Sequence, residues 1–125
     1  MIFDTDVLIW ISKGVQSAVK TASSAAQRYI SLMTRMELLQ GARSKAHLLQ
    51  VESFITDYDF VVLPLTENIG HRALIYVEEY TLSHGLRADD AIIAATAVEN
   101  NMPLCSCNVK HYKPIKDLKF HPLHI

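Results

Sequence analysis

Five short apolar runs, separated by longer stretches of helical character, set the limits on this 125-residue chain. They lie at residues 1–3, 28–32, 60–63, 104–107 and 120–125. In 1–3 and 60–63 the apolar residues stand side by side instead of alternating with polar ones, and the runs close at polar or turn residues such as Asp4, Pro64 or Asn108. Runs of that kind suit strands buried on both faces, the pattern of a parallel sheet covered by helices.

The intervening stretches supply the helices. Residues 15–27 are rich in Ala, Ser and Lys and read as weakly helical, after a short helical turn at 9–12 that stops at Gly14. Residues 34–42 open on Thr34-x-x-Glu37, a capping-box pattern, with Met33 and Leu38 spaced as a hydrophobic staple. A further helix is expected at 46–57. Thr66 is a natural N-cap for the longest helix, which runs to His84 and stops at Gly85. Ile69, Ala73, Tyr76, Val77 and Tyr80 form one stripe on it, the spacing of a helix lying on a sheet. Residues 89–98 are nearly apolar throughout and predict a deeply packed helix, ended by Asn100, Asn101 and Pro103. The alternation predicts one α/β domain over 1–125: a three-layer α/β/α sandwich around a mainly parallel sheet of four to five strands.

Half of the residues are hydrophobic and a fifth are charged, enough apolar content for a core, with no run near the roughly 20 residues that cross a bilayer. The start lacks the basic region and cleavage site of a secretory signal, so a cytoplasmic protein is expected. A formal net charge of −1 gives no overall attraction to nucleic acid. Lys110, Lys113, Lys116 and Lys119 cluster locally, opposed by Asp117, and read best as a solvated face. Cys105 and Cys107, followed by three histidines, match no common zinc framework; a buried strand accounts for both thiols.

Three segments place an acid at the same kind of location. Asp4 ends the first strand, Glu37 sits in the first turn expected after the second, and Asp90 opens the apolar helix. Strand ends and the N-termini of the helices that follow share one edge of a parallel sheet, where ligands bind. The fourth strand brings Ser106, Asn108 and Lys110 to that edge. Glu37, Asp6 and Asp89 each have an ordinary capping explanation. Asp4, on a strand buried on both faces, does not, because an unpaired buried carboxylate is costly. A hard cation, Mg²⁺ or Mn²⁺, would offset such a cluster and could activate water against a phosphate. Asp4, Glu37 and Asp90 are the expected ligands, with Asn108, Asp89 and Asp6 as weaker ones. Ser106, Asn108 and Lys110 are the expected groups for orienting substrate or water.

Four stretches resemble the motifs of PIN-domain ribonucleases, in order and across essentially the whole chain. They are Asp4-Thr5-Asp6-Val7-Leu8-Ile9, residues 31–42 around Glu37, Asp90-Ala91-Ile92-Ile93-Ala94-Ala95-Thr96-Ala97, and Ser106-Cys107-Asn108-Val109-Lys110-His111-Tyr112. The single domain is most similar to the VapC-type toxins of toxin–antitoxin pairs. That resemblance implies a Mg²⁺- or Mn²⁺-dependent endoribonuclease acting on RNA, a homodimer, and a small VapB-like antitoxin that blocks the site. It implies Asp4, Glu37 and Asp90 as the acidic metal site and ranks Asp89, where the family often has a non-acidic residue, below Asp90. Two departures stand out. Asn108 occupies a position that often carries Asp, with His111 three residues on, and Ser106 replaces the usual Thr.

Two other readings compete. A receiver domain of phosphorelay signalling has a similar length and an acidic pair after strand one, but needs a phosphoacceptor Asp where this chain has Leu63-Pro64-Leu65. A PIN fold that has lost its chemistry and serves as a binding module is the other; the intact acids argue against it.

Overall fold

The apolar runs become five parallel strands in the computed structural model, which describes all 125 residues. They are β1 (Ile2–Phe3), β2 (Arg28–Ser31), β3 (Phe60–Leu63), β4 (Leu104–Ser106) and β5 (Phe120–Pro122), ordered β3-β2-β1-β4-β5. Every neighbouring pair is parallel; Ile2 and Phe3 stand opposite Leu104 and Cys105. Because side chains alternate along a strand, the sheet feeds two cores. Ile2 and Leu104 enter one, formed with Ile69, Ala73 and Tyr76 and the buried face of residues 91–97. Phe3 and Cys105 enter the other, with Val7, Leu8 and Ile11, Ala18, Ala22 and Ile55. Helices therefore cover both faces, as the alternation predicts.

Seven helices make these layers: α1 (Thr5–Ser12), α2 (Gln16–Ser24), α3 (Leu32–Gln40), α4 (Lys45–Asp57), α5 (Glu67–His84), α6 (Ala88–Glu99) and α7 (Val109–Tyr112). The long helix begins and ends where expected. The Thr66 hydroxyl accepts from the Ile69 amide, and Gly85 closes α5 at φ 71°, a left-handed position that glycine takes without steric cost. Helix α6 buries Ala91, Ile93, Ala94, Ala95, Thr96 and Ala97; its small side chains let it pack deeply against the sheet and α5.

Two helix starts differ from expectation. Helix α1 begins at Thr5, not at Ile9, because Asp4 acts as its N-cap, accepting from the Thr5 amide at 2.8 Å. The strand thus turns into helix within one residue. Helix α3 begins at Leu32, so the Thr34–Glu37 capping box does not form. The cap is Ser31, whose hydroxyl accepts from the Thr34 amide at 2.9 Å. Glu37 consequently lies in the second turn, free for another task, and Met33 is inside the helix instead of preceding it. The four-residue α7, capped by Asn108, had no sequence signal long enough to read. Cys105 is buried and Cys107 half-buried, both as free thiols, consistent with the strand reading.

In the order β3-β2-β1-β4-β5 the chain leaves β1 in both directions, so the switch point lies between β1 and β4. A crevice opens there, beyond the carboxyl ends of the strands.

Candidate active site

Asp4 sits at the lip of that crevice, buried to 6% exposure. One carboxylate oxygen accepts from the Thr5 amide; the other accepts from the Ser106 hydroxyl at 2.7 Å, across the β1–β4 boundary. Ser106 is itself fully buried, and its oxygen accepts from the Asn108 amide at 2.9 Å. Ser106 thus braces Asp4 from within, with no surface of its own open to solvent. Asp6, in the first turn of α1, reaches the same strand end. It accepts from the Cys107 amide at 3.2 Å, with the Ser106 hydroxyl 3.4 Å away, and its second carboxylate oxygen is buried with no partner.

Glu37 approaches from α3. With no capping duty, it accepts from the Thr5 hydroxyl at 2.7 Å, and the buried Thr34 hydroxyl lies 3.0 Å from that same oxygen of Thr5. Asp90 comes from the first turn of α6. Its two oxygens are engaged separately, by His111 Nδ1 at 2.8 Å and by the Tyr112 hydroxyl at 3.3 Å. His111 Nδ1 also lies 2.9 Å from the Asn108 amide nitrogen. Donation from Nδ1 to Asp90 and from the Asn108 side-chain amide to Nδ1 exclude one another, and a carboxylate, which can only accept, selects the first. Asp89 turns back onto its own helix, accepting from the Asp90 amide, with Arg87 Nε 3.6 Å away. The capping box of α6 is made instead by Asp90, which accepts from the Arg87 amide at 3.4 Å, while Asp89 lies beside Glu37 and raises its carboxyl. Lys110 is exposed on α7.

Asp4, Asp6 and Glu37 are all shifted in the same direction. Burial, then the neighbouring Asp6 charge, pushes the Asp4 carboxyl up to about 8, against the opposing pull of the Ser106 and Thr5 hydrogen bonds. Burial also raises Asp6. Burial raises Glu37, with the Asp89 and Asp90 carboxylates adding to the effect and the Thr5 hydroxyl opposing it. Burial holds the Tyr112 phenol well above its ordinary value, so it stays a donor to Asp90. The N-termini of α1 and α6 offset a little of this negative charge.

Such a cluster suits a hard divalent cation. The donors are carboxylate oxygens, the kind Mg²⁺ and Mn²⁺ prefer, and one buried oxygen of Asp6 lacks any partner. No three His, Cys, Asp or Glu side chains are grouped tightly enough to enclose an ion unaided. That openness is compatible with Mg²⁺, which keeps several waters and takes one or two carboxylates together with substrate phosphate. Asp4, Glu37 and Asp90, together with the unpartnered oxygen of Asp6, are the side chains that could supply its ligands.

The sheet edge thus gathers Asp4, Asp6, Glu37, Asp90, Ser106 and Asn108. Sequence reading missed the hydrogen-bonding partners Thr5, Thr34 and Tyr112, and noted His111 without giving it a task. Thr5 lies between two acids and Tyr112 beside His111, but their use depends on segments far away in the chain. At the end of β3, Leu63, Pro64 and Leu65 leave no acid for a phosphoacceptor, which removes the receiver-domain alternative.

A family model of the PIN domain matches residues 1–114. The chain belongs to the PIN-domain family. This PIN domain is 32% identical over 123 residues to Ribonuclease VapC10 of Mycobacterium tuberculosis, covering 95% of this chain and 90% of that one. It is 30% identical over 125 residues to Ribonuclease VapC1 of Rickettsia felis, covering 95% and 92%. Among solved structures, a toxin–antitoxin complex from Klebsiella pneumoniae superposes with a TM-score of 0.77 at 30% identity, over 94% and 93% of the two chains. VapBC-1 from nontypeable Haemophilus influenzae gives 0.79 at 22% identity over 98% of each, a likeness of fold.

Proposed function

We propose that this PIN domain is a Mg²⁺- or Mn²⁺-dependent endoribonuclease, the toxin of a VapBC-type toxin–antitoxin pair acting in the cytoplasm. The observation that carries the reading is the convergence of Asp4, Glu37 and Asp90, from three distant segments, at the switch point of the sheet. Relatives named Ribonuclease VapC, matched along nearly the whole chain, support RNA as the substrate. Structural neighbours that are toxin–antitoxin complexes support a small VapB-like antitoxin as partner. Exposed Leu74, Ile75 and Leu82 on α5 support a homodimer, since apolar side chains grouped on one helix favour a contact.

When bound, the metal supplies a Lewis acid and an activated water for in-line displacement at a phosphodiester. The protein's part is to hold the ligands in place. Ser106 and the Thr5 amide fix the two oxygens of Asp4, the Thr5 hydroxyl fixes Glu37, and His111 with Tyr112 fixes Asp90. Ligands held in this way cost little reorganisation as charge develops on the phosphate. Lys110, exposed on α7 two residues after Asn108, is the cation assigned to the RNA backbone in this reading.

The test is cleavage of total cellular RNA with Mg²⁺, Mn²⁺ or EDTA, with cut ends mapped. Cleavage with either metal, leaving 5′-phosphate and 3′-hydroxyl ends, and its loss in EDTA are expected. Asp4→Asn should reduce the rate by on the order of 100-fold or more, since loss of even an outer-sphere partner costs about 10–100-fold. Full activity in EDTA, or in Asp4→Asn, would sink the proposal, and a wild type that cuts no RNA under any of these conditions would favour the binding-module reading instead.

A further inference from the structure

A groove of about 470 Å³ lies between α7 and the edge strand β5. Val109, Leu118, Phe120 and Pro122 form its apolar walls, and the exposed Lys113 and His124 complete the lining. Its aromatic wall touches the candidate active site. The Phe120 ring packs on that of Tyr112, with centroids 6.0 Å apart, and the Tyr112 hydroxyl meets Asp90. The groove also shares a strand end with the carboxylates. Ser106, whose hydroxyl holds Asp4, accepts from the Leu123 amide at 2.9 Å through its carbonyl, which sets Pro122 and His124 at the same edge of the sheet. Two strand spacings, from β1 across β4 to β5, separate Asp4 from that wall, roughly 10 Å.

The charge around the groove is one-sided. Lys110, Lys113 and Lys116 are exposed, and no lysine of the chain is in an ion pair. Asp117, the one acidic side chain in residues 109–125, is already engaged. One of its oxygens accepts from Arg72 at 2.7 Å and the other from the Tyr76 hydroxyl at 2.8 Å. The acid that opposes the lysines in sequence is thus turned onto α5, and the lysines stay uncompensated. We infer that this groove is a track for single-stranded RNA, holding nucleotides that flank the cut. Lys113 meets a backbone phosphate, and Phe120, Pro122 and His124 offer faces to a base or ribose. RNA as the occupant is taken from the ribonuclease reading above, on which the proposal rests. Sites for single strands combine cations along the backbone with aromatic side chains on which bases stack. A carboxylate cluster repels the polyanion it acts on, and cations at its flank offset that repulsion and raise the local concentration of substrate.

The test is binding of a labelled single-stranded RNA dodecamer to the full chain in EDTA, so that binding is read apart from cleavage, by fluorescence anisotropy over a series of salt concentrations. Lys113→Gln is expected to flatten the slope of log affinity against log salt by about 0.7, the loss of one phosphate contact on a single strand. His124→Ala is expected to weaken binding about fivefold or more, the low end for a base stacked on an aromatic ring. Lys20→Gln, which removes an exposed cation on α2 outside the groove, should keep the wild-type slope. All three side chains are exposed, so the fold does not depend on them. A wild-type slope in Lys113→Gln, wild-type affinity in His124→Ala, or an equal flattening in Lys20→Gln would each overturn the inference. So would a wild type that binds no RNA at low salt, which leaves the groove to a protein partner. A wild type that shows the expected pattern yet cuts no RNA with Mg²⁺ or Mn²⁺ keeps the track and removes only the nuclease. One that cuts RNA while the variants bind as it does removes only the track.

Discussion

At the scale of single residues, the informative side chains are the ones that hold the acids. Asp4 is confined by two donors and Asp90 by three, the Arg87 amide, His111 and Tyr112, whereas Glu37 depends on the Thr5 hydroxyl. His111 is the least expected of these. It stands three residues after Asn108 and bonds the Asp90 carboxylate. His111→Ala should therefore lower Mn²⁺ affinity by about 10–100-fold, the usual cost of losing a group that orients a ligand. Calorimetric titration of Mn²⁺ into the two proteins checks this, and unchanged affinity would show that Asp90 holds its position without the ring. Asp6 also changed standing. Its first oxygen ties the end of β4 to α1, and its second is left buried and unpartnered, so it belongs to the cluster more closely than a simple helix-start acid would.

At the scale of elements, the start of α3 decides whether Glu37 is a structural or a functional residue. Thr34 and Glu37 have the spacing of a capping box, and either Ser31 or Thr34 could cap. Ser31 prevails because β2 ends there, with its hydroxyl already pointed at the Thr34 amide. Ser31→Ala is expected to lower stability by about 1 kcal/mol, the ordinary cost of a lost N-cap. Glu37→Gln is expected to cause no such loss, since Glu37 caps nothing and its ionised form is crowded by Asp89 and Asp90. Urea unfolding of both variants separates the two cases, while RNA cleavage should fall in Glu37→Gln alone. Helix α1 follows the same logic: Asp4 as N-cap turns the strand into a helix within one residue and aims Asp6 back at β4.

At the scale of the whole molecule, the carboxylate cluster couples stability to pH and to metal. Asp4 is raised from an ordinary 3.8 to about 8 in the folded protein, and Asp6 and Glu37 are raised as well. The folded state then binds more protons than the unfolded chain between those values, so stability is greatest at the acid end and falls as pH rises from about 4 to about 8. Thermal melts without metal should show that fall, and Asp4→Asn should reduce it. Adding Mg²⁺ or Mn²⁺ at pH 8 should raise Tm, because an ion that binds only the folded state stabilises it by mass action. A melt that is flat with pH and indifferent to metal would mean that the acids are not held as a cluster.

What the amino-acid sequence determined on its own were the features that depend on near neighbours. Runs of adjacent apolar residues marked the strands, a 3.6-residue stripe and the Thr66 and Gly85 caps marked α5, and small residues marked the buried α6. Their alternation implied a parallel sheet, and the edge rule for such sheets pointed to Asp4, Glu37 and Asp90 together. Tertiary structure decided the rest. Ser106 and Asp4 are joined by a hydrogen bond 102 positions apart, Thr5 and Glu37 by one 32 apart, and His111 and Asp90 by one 21 apart. No local pattern encodes such pairings, because a side chain's partner across a strand boundary is set by register and layer packing. For the same reason the chain's own spacing suggested a cap at Thr34, and only the end of β2 moved it to Ser31 and released Glu37 into the crevice.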